Sequence, residues 1–193
     1  DEAELYNNDA GTDGSGSGGG AYLDDSNLNS DKASIRYNTA DDYGGGVYAA
    51  NGSTVDMDLG SYACFSVRCS RLANTTATNT YGGGIYASSS DIYLDNTFIE
   101  NNTANLGGGV YATGSGVYAN NSVFARNDTT SGTGNAIRLI SSASLSGSGN
   151  TVAYNDAGGA STGQAIGISG GSLTLGCSIV WGHSSSIDAT GQN

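Results

Sequence analysis

The strongest constraint on this chain is an internal repetition. Gly82-Gly83-Gly84-Ile85-Tyr86-Ala87 returns 25 residues later as Gly107-Gly108-Gly109-Val110-Tyr111-Ala112. The match runs on past the glycines, since Ile92-Tyr93-Leu94 answers Val117-Tyr118-Ala119 and Phe98-Ile99-Glu100-Asn101 answers Phe124-Ala125-Arg126-Asn127. A period in the twenties is the mark of a solenoid, in which one unit cannot bury its apolar face without its neighbours.

Aligning each unit on its first inward residue gives Ala21, Val47, Ile85, Val110, Ile137 and Ile166. The residue after this anchor is often Tyr and the next is usually Ala, so the anchor and the third residue face inward and the Tyr outward. Leu28, Ile92, Val117 and Leu173 recur seven residues on, and Val55 and Leu145 fit with one inserted residue. This is a second strand on the same core. A third apolar segment ends in Asn or Gly, as in Ile35 to Asn38, Phe98 to Asn101, Phe124 to Asn127 and Val152 to Asn155.

The pattern predicts an all-β fold, a right-handed parallel β-helix of about six coils with three short strands per coil. Six coils at the strand spacing make a rod ~29 Å tall. Residues 1–17 read as an acidic N-terminal extension or cap, and residues 18–193 as the β-helix. The second coil is longer than the others, and its excess places a loop insertion at about 60–70. Cys64 and Cys69 lie in that loop, and a disulfide between them suits an oxidising compartment. Cys177 follows the alternation of Leu173 and Leu175 and reads as a small buried core residue, with an intermolecular bridge as the alternative. Asn38, Asn74, Asn101, Asn127 and Asn155 are expected to form a corner ladder, each amide bonding to the next coil.

Thirty-two glycines and no proline, with abundant Ser, Thr and Asn, fit disorder when scattered; here they are periodic. Six basic residues against eighteen acidic ones give a net charge of −12, which argues against a nucleic-acid or anionic-lipid partner. Twelve of the acids fall in the first 58 residues, so a cation or basic partner would prefer that end. No window carries the ~18 apolar residues of a membrane span. The start at Asp1 fits a mature secreted product or an excised fragment.

Two outward aromatic columns emerge from the register, Tyr22, Tyr48, Tyr86 and Tyr111 in one and Tyr93 beside Tyr118 in the other. They can serve as a sheet-stabilising ladder, a surface for lateral self-association, or a platform for sugar rings. Ten residues past the anchor stand Asp31, Asp58 and Asp95, the second after a one-residue insertion. Carboxylates one coil apart, ~5 Å, can hold Ca²⁺, act as a glycosidase acid and nucleophile, or form a solvated wall. His183, the single histidine, has no nucleophile beside it and reads as a surface or capping residue. Five Asn-x-Ser/Thr sequons stand at Asn51, Asn74, Asn101, Asn120 and Asn127, three of them on the expected Asn corners.

Gly83-Gly84-Ile85 with Phe98-Ile99-Glu100-Asn101, and Gly108-Gly109-Val110 with Phe124-Ala125-Arg126-Asn127, resemble the repeat of the polymorphic outer-membrane protein family. Its autotransporter passengers are right-handed β-helices displayed on bacterial surfaces. Ser178-Ile179-Val180-Trp181-Gly182 is similar to the closing coils of large secreted bacterial β-helix proteins. The resemblance covers about residues 18–182 and implies surface display or adhesion. The expected function is that of an extracellular structural solenoid, a non-enzymatic subunit of a self-assembling surface fibre with glycans or a cell surface as further partners. The competing expectation is a carbohydrate-binding or polysaccharide-degrading β-helix. No cofactor beyond Ca²⁺ is expected.

Overall fold

The computed structural model describes residues 3–11, 13–57, 69–130, 133–155, 163–183 and 185–190. They form strands and turns without a helix, and all pairings are parallel, in a solenoid of about six turns with the arrangement of a right-handed parallel β-helix.

Each coil contributes a strand to three long faces. The first face carries the anchors, in strands Ala21–Asp24, Val47–Ala50, Ile85–Ser88, Val110–Thr113, Ile137–Ile140, Gln164–Ser169 and Ser185–Thr190. The expected column is in register throughout: Ala21, Val47, Ile85, Val110, Ile137 and Ile166 pair in sequence, and Ile187 extends it. The second face aligns Leu28, Val55, Ile92, Val117, Leu145 and Leu173. The third aligns Leu5, Ile35, Leu72, Ile99, Phe124, Val152 and Val180.

Three departures from the sequence reading stand out. A fourth face of two-residue strands, such as Thr76–Ala77 and Thr103–Ala104, follows the Asn corner and gives the coil a fourth side. Ala40, Ala77 and Ala104 are buried there; a side chain this small leaves little apolar signal. Residues Glu4–Tyr6 and Asp9–Ala10 pair with Ser34–Arg36 and Thr39–Ala40, so the acidic segment supplies two strands to the end of the stack. The third-face match was one residue out: Ile99, and not Phe98, pairs with Phe124, while Phe98 faces outward between Arg71 and Val123.

The core is a short-period device. Ile85, Ile92 and Ile99 stand seven residues apart and are all fully buried, as are Val110, Val117 and Phe124 in the next coil. The residue between faces must turn sharply. Asn7, Tyr37, Asn74, Asn101, Arg126 and Tyr154 all adopt positive φ at the corner after the third face, irrespective of residue type. Such a conformation costs an L-residue about 1–2 kcal/mol. Burying three large apolar side chains per coil stabilises by about 1.5–3 kcal/mol each, so the coil closes despite its corners. At the glycine corner, Gly82 takes φ +71, and a Cβ on Gly83 would lie 2.4 Å from Thr103 O and 2.5 Å from Gly108 O. Backbone of the neighbouring coil fills the place of a side chain there.

Candidate functional site

The outward residue of the first-face strand is repeated at each coil, so the strand register stacks its rings. Tyr22 lies on Tyr48 with centroids 4.7 Å apart and 12° between planes, Tyr48 on Tyr86 at 5.3 Å and 5°, and Tyr86 on Tyr111 at 5.6 Å and 8°. Two tyrosines outside the predicted columns complete a double layer. Tyr43 and Tyr81 immediately precede the glycine triplets and fold over the column, Tyr43 against Tyr86 at 4.7 Å and Tyr81 flat on Tyr111 at 4.6 Å. The signal is present as Tyr-Gly-Gly-Gly in two coils, five residues before the predicted ring.

This second layer changes the surface. Tyr22 is 58% exposed whereas Tyr111 is 5% exposed, so the column is wet at one end and part of the core at the other. Burial, then the neighbouring Tyr81 and Tyr86 hydroxyls, push the Tyr111 phenol up to about 12, and Arg138 acts in the opposite direction. Burial also raises Tyr86, with Tyr43 and Tyr48 adding to it, and it raises Tyr48, with Tyr22 and Asp24 adding to it. On the second face Tyr93 and Tyr118 stack at 4.8 Å and 12°, each 38% exposed. Within the first column Tyr48 and Tyr86 have rings on both sides, whereas Tyr22 stacks on Tyr48 alone and Tyr93 and Tyr118 stack on each other through one face each.

The acidic column has its outer members, Asp31 and Asp95, among the described residues, two coils apart. Asp58 lies outside them, as does Cys64. Asp31 is exposed on a turn of the first coil. Asp95, in the third, accepts the Asn120 side-chain N–H at 2.8 Å, and Asn120 Oδ1 accepts the Ser148 backbone N–H at 3.1 Å. Among the described residues no group of three or more His, Cys, Asp or Glu side chains converges. Cys69 is disulfide-bonded. Cys177 is a free thiol and exposed, contrary to the buried placement expected from Leu173 and Leu175. It occupies the positive-φ corner after the second face, in line with Asn96, Asn121 and Gly149, where the strand alternation has ended.

The asparagine ladder runs through Asn38, Asn102, Asn127 and Asn155, all fully buried. Asn74 and Asn101 are not rungs: they are the positive-φ residues one place earlier, and Thr75 and Asn102 hold the rung positions. Asn102 donates to Asn127 Oδ1 at 3.0 Å and Asn127 to Asn155 Oδ1 at 2.9 Å. Each amide also donates to a carbonyl of the preceding coil, Asn127 to Ile99 O at 2.9 Å and Asn155 to Phe124 O at 2.8 Å. Burial of Asn127 also removes that sequon from solvent. A constant offset of seven from Ile92 to Ile99 and from Val117 to Phe124 was the available signal for the correct register.

No protein-family model, no curated protein and no solved structure matches this chain.

Proposed function

We propose that this chain is an extracellular structural β-solenoid, a non-enzymatic subunit of a surface fibre built by end-to-end association of its copies. The observation that carries the reading is the apolar surface on the last described strands of the first and third faces. Ile179 is 61% exposed, Trp181 60% and Ile187 44%, beside the half-buried Leu173, Leu175 and Val180. Large exposed apolar groups mark an interaction surface. Because all strands run in one direction, one end of the stack offers the hydrogen-bonding edge that the other end can extend, a heterologous contact that builds open filaments. Twelve of eighteen acids lie in residues 1–58, which opposes association of two N-terminal ends and leaves head-to-tail order. The resemblance to polymorphic outer-membrane protein passengers supports display on a cell surface.

The tyrosine columns fit this scaffold role better than sugar binding. A sugar ring stacks on an open aromatic face, and in the long column the faces of Tyr48 and Tyr86 lie against other rings. The test is negative-stain electron microscopy of the purified chain at neutral pH, with and without a calcium chelator, beside Trp181→Asp. Filaments with an axial repeat of ~30 Å, shortened or absent in the variant, are the expected result. Loss on chelation would implicate the acidic residues Asp31, Asp58 and Asp95 in a Ca²⁺-dependent joint. Discrete particles under every condition overturn the fibre reading and direct attention to glycans.

A further inference from the structure

Among the described residues the buried ladder does not finish on an asparagine. The rung after Asn155 is His183, 28 residues on, as Asn155 is 28 after Asn127. The imidazole reproduces an amide's two bonds with different atoms. Nδ1 accepts the Asn155 backbone N–H at 3.2 Å, where Asn155 Oδ1 accepts that of Asn127 at 2.9 Å. Nε2 lies 3.1 Å from Val152 O, where Asn155 Nδ2 lies 2.8 Å from Phe124 O. These partners assign the tautomer: the nitrogen facing an N–H must carry a lone pair, and the nitrogen facing a carbonyl must carry the proton.

An asparagine amide offers the same donor and acceptor at every pH. An imidazole does not. Its second proton goes to the remaining lone pair, on Nδ1, and converts the acceptor into a donor aimed at the Asn155 N–H. We propose that His183 is a pH-sensitive latch: neutral, it ties the last coil to the ladder, and protonated, it releases the Asn155 N–H and loosens the strand Ile179–Trp181 with its corner.

Among the described residues, the elements packed against the ring carry few charged groups. Thr151–Ala153 and Ile179–Trp181 bring no titratable side chain to the ring. The Asn155 corner brings Tyr154, which packs edge-on against Trp181 at 5.0 Å. Arg126 holds the equivalent corner one coil back and adds positive charge. Asp128 follows Asn127 in that same coil, on the short fourth face. Asp188, on the final first-face strand, accepts Gln164 Nε2–H at 2.7 Å. Asp156 lies outside the described residues. The ion pairs among the described residues, Arg36 with Glu4 and Arg71 with Glu100, involve other coils. His183 is half-buried, so solvent protons reach it.

The experiment is amide hydrogen exchange on the whole chain, read by NMR at pH 7.5 and 5.0 and corrected for intrinsic rates. Local opening at the latch is expected to cost the Asn155 N–H about tenfold or more of its protection at the lower pH, while that of Asn127 holds. His183→Asn, which restores a pH-independent rung, should give equal Asn155 protection at both values. Unchanged protection in the parent chain overturns the latch, and so does an equal loss in His183→Asn, which would assign the effect to carboxyl groups. The imidazole nitrogen shifts of the parent chain give a check that needs no variant: a bare Nδ1 and a protonated Nε2 are expected at pH 7.5, and the opposite tautomer overturns the proposal.

Discussion

Tyr81 lies flat on Tyr111, with centroids 4.6 Å apart and 10° between planes, although the two residues come from different coils and different positions within the repeat. The contact seals the inner end of the tyrosine column. Since burial pushes Tyr111 up to about 12, its neutral form is favoured by folding. That stability is fully present below the ordinary phenol value of about 10 and is lost as pH rises through about 12. Absorbance titration should reveal a late-ionising tyrosine that Tyr81→Ala brings down. Arg138→Ala should move it further up. A single transition near 10 for all phenols would refute the sealed column.

The rung and the corner that precedes it should respond in opposite ways to substitution. Asn127→Ala removes the acceptor of the buried Asn102 N–H and the side-chain donor to Ile99 O, at a cost of about 3 kcal/mol or more, while Asn155 Oδ1 keeps the backbone N–H of residue 127. Asn101→Gly, one coil earlier at φ 53, should be neutral or slightly stabilising, because glycine enters this region without the Cβ penalty. Urea unfolding midpoints distinguish the two. Equal losses would place Asn101 in the ladder after all.

Gly83 and Gly52 offer a test of close backbone packing. Alanine at Gly83 would put a Cβ 2.4 Å from Thr103 O, and the coils must separate, costing roughly 3 kcal/mol. Gly52 has no atom within 4 Å of its Cβ position, so alanine there meets only the strain of φ +82, about 1 kcal/mol. Thermal unfolding of both variants measures the difference, and comparable melting temperatures would contradict the packing.

Cys177 should react with a maleimide in the absence of denaturant, since its thiol is exposed. Modification only after unfolding would return it to the core. Cys177→Gly should stabilise by about 1 kcal/mol, because φ is 45 at this corner and glycine relieves it. A drop in the urea midpoint would argue against that relief.

Much of the fold could be read from the chain because a solenoid makes its long-range contacts at a nearly fixed sequence distance. Ile85 meets Val110 and Ile92 meets Val117 at the same separation of 25, so local repetition reports tertiary register directly. Sequence and structure differ where two residues of similar character adjoin. Phe98 and Ile99 both fit an inward site, and Asn101 and Asn102 both fit a corner. Composition cannot choose between neighbours; only strand pairing from the second face does, seven residues upstream.

The sequence by itself determined the repeat, the identity of the inward columns on the first and second faces, and the stacking of Tyr22, Tyr48, Tyr86 and Tyr111. Each follows from alternation along a strand multiplied by a constant period. Tertiary structure alone decided the residues that act across a corner or between layers: Tyr43 and Tyr81 over the column, Thr75 and Asn102 as rungs, Cys177 on the outside and His183 at the end of the ladder. Their roles depend on where the chain turns. A turn at positive φ shifts every following side chain by one position, and the residue occupying it, whether Asn, Tyr, Arg or Cys, does not announce the turn.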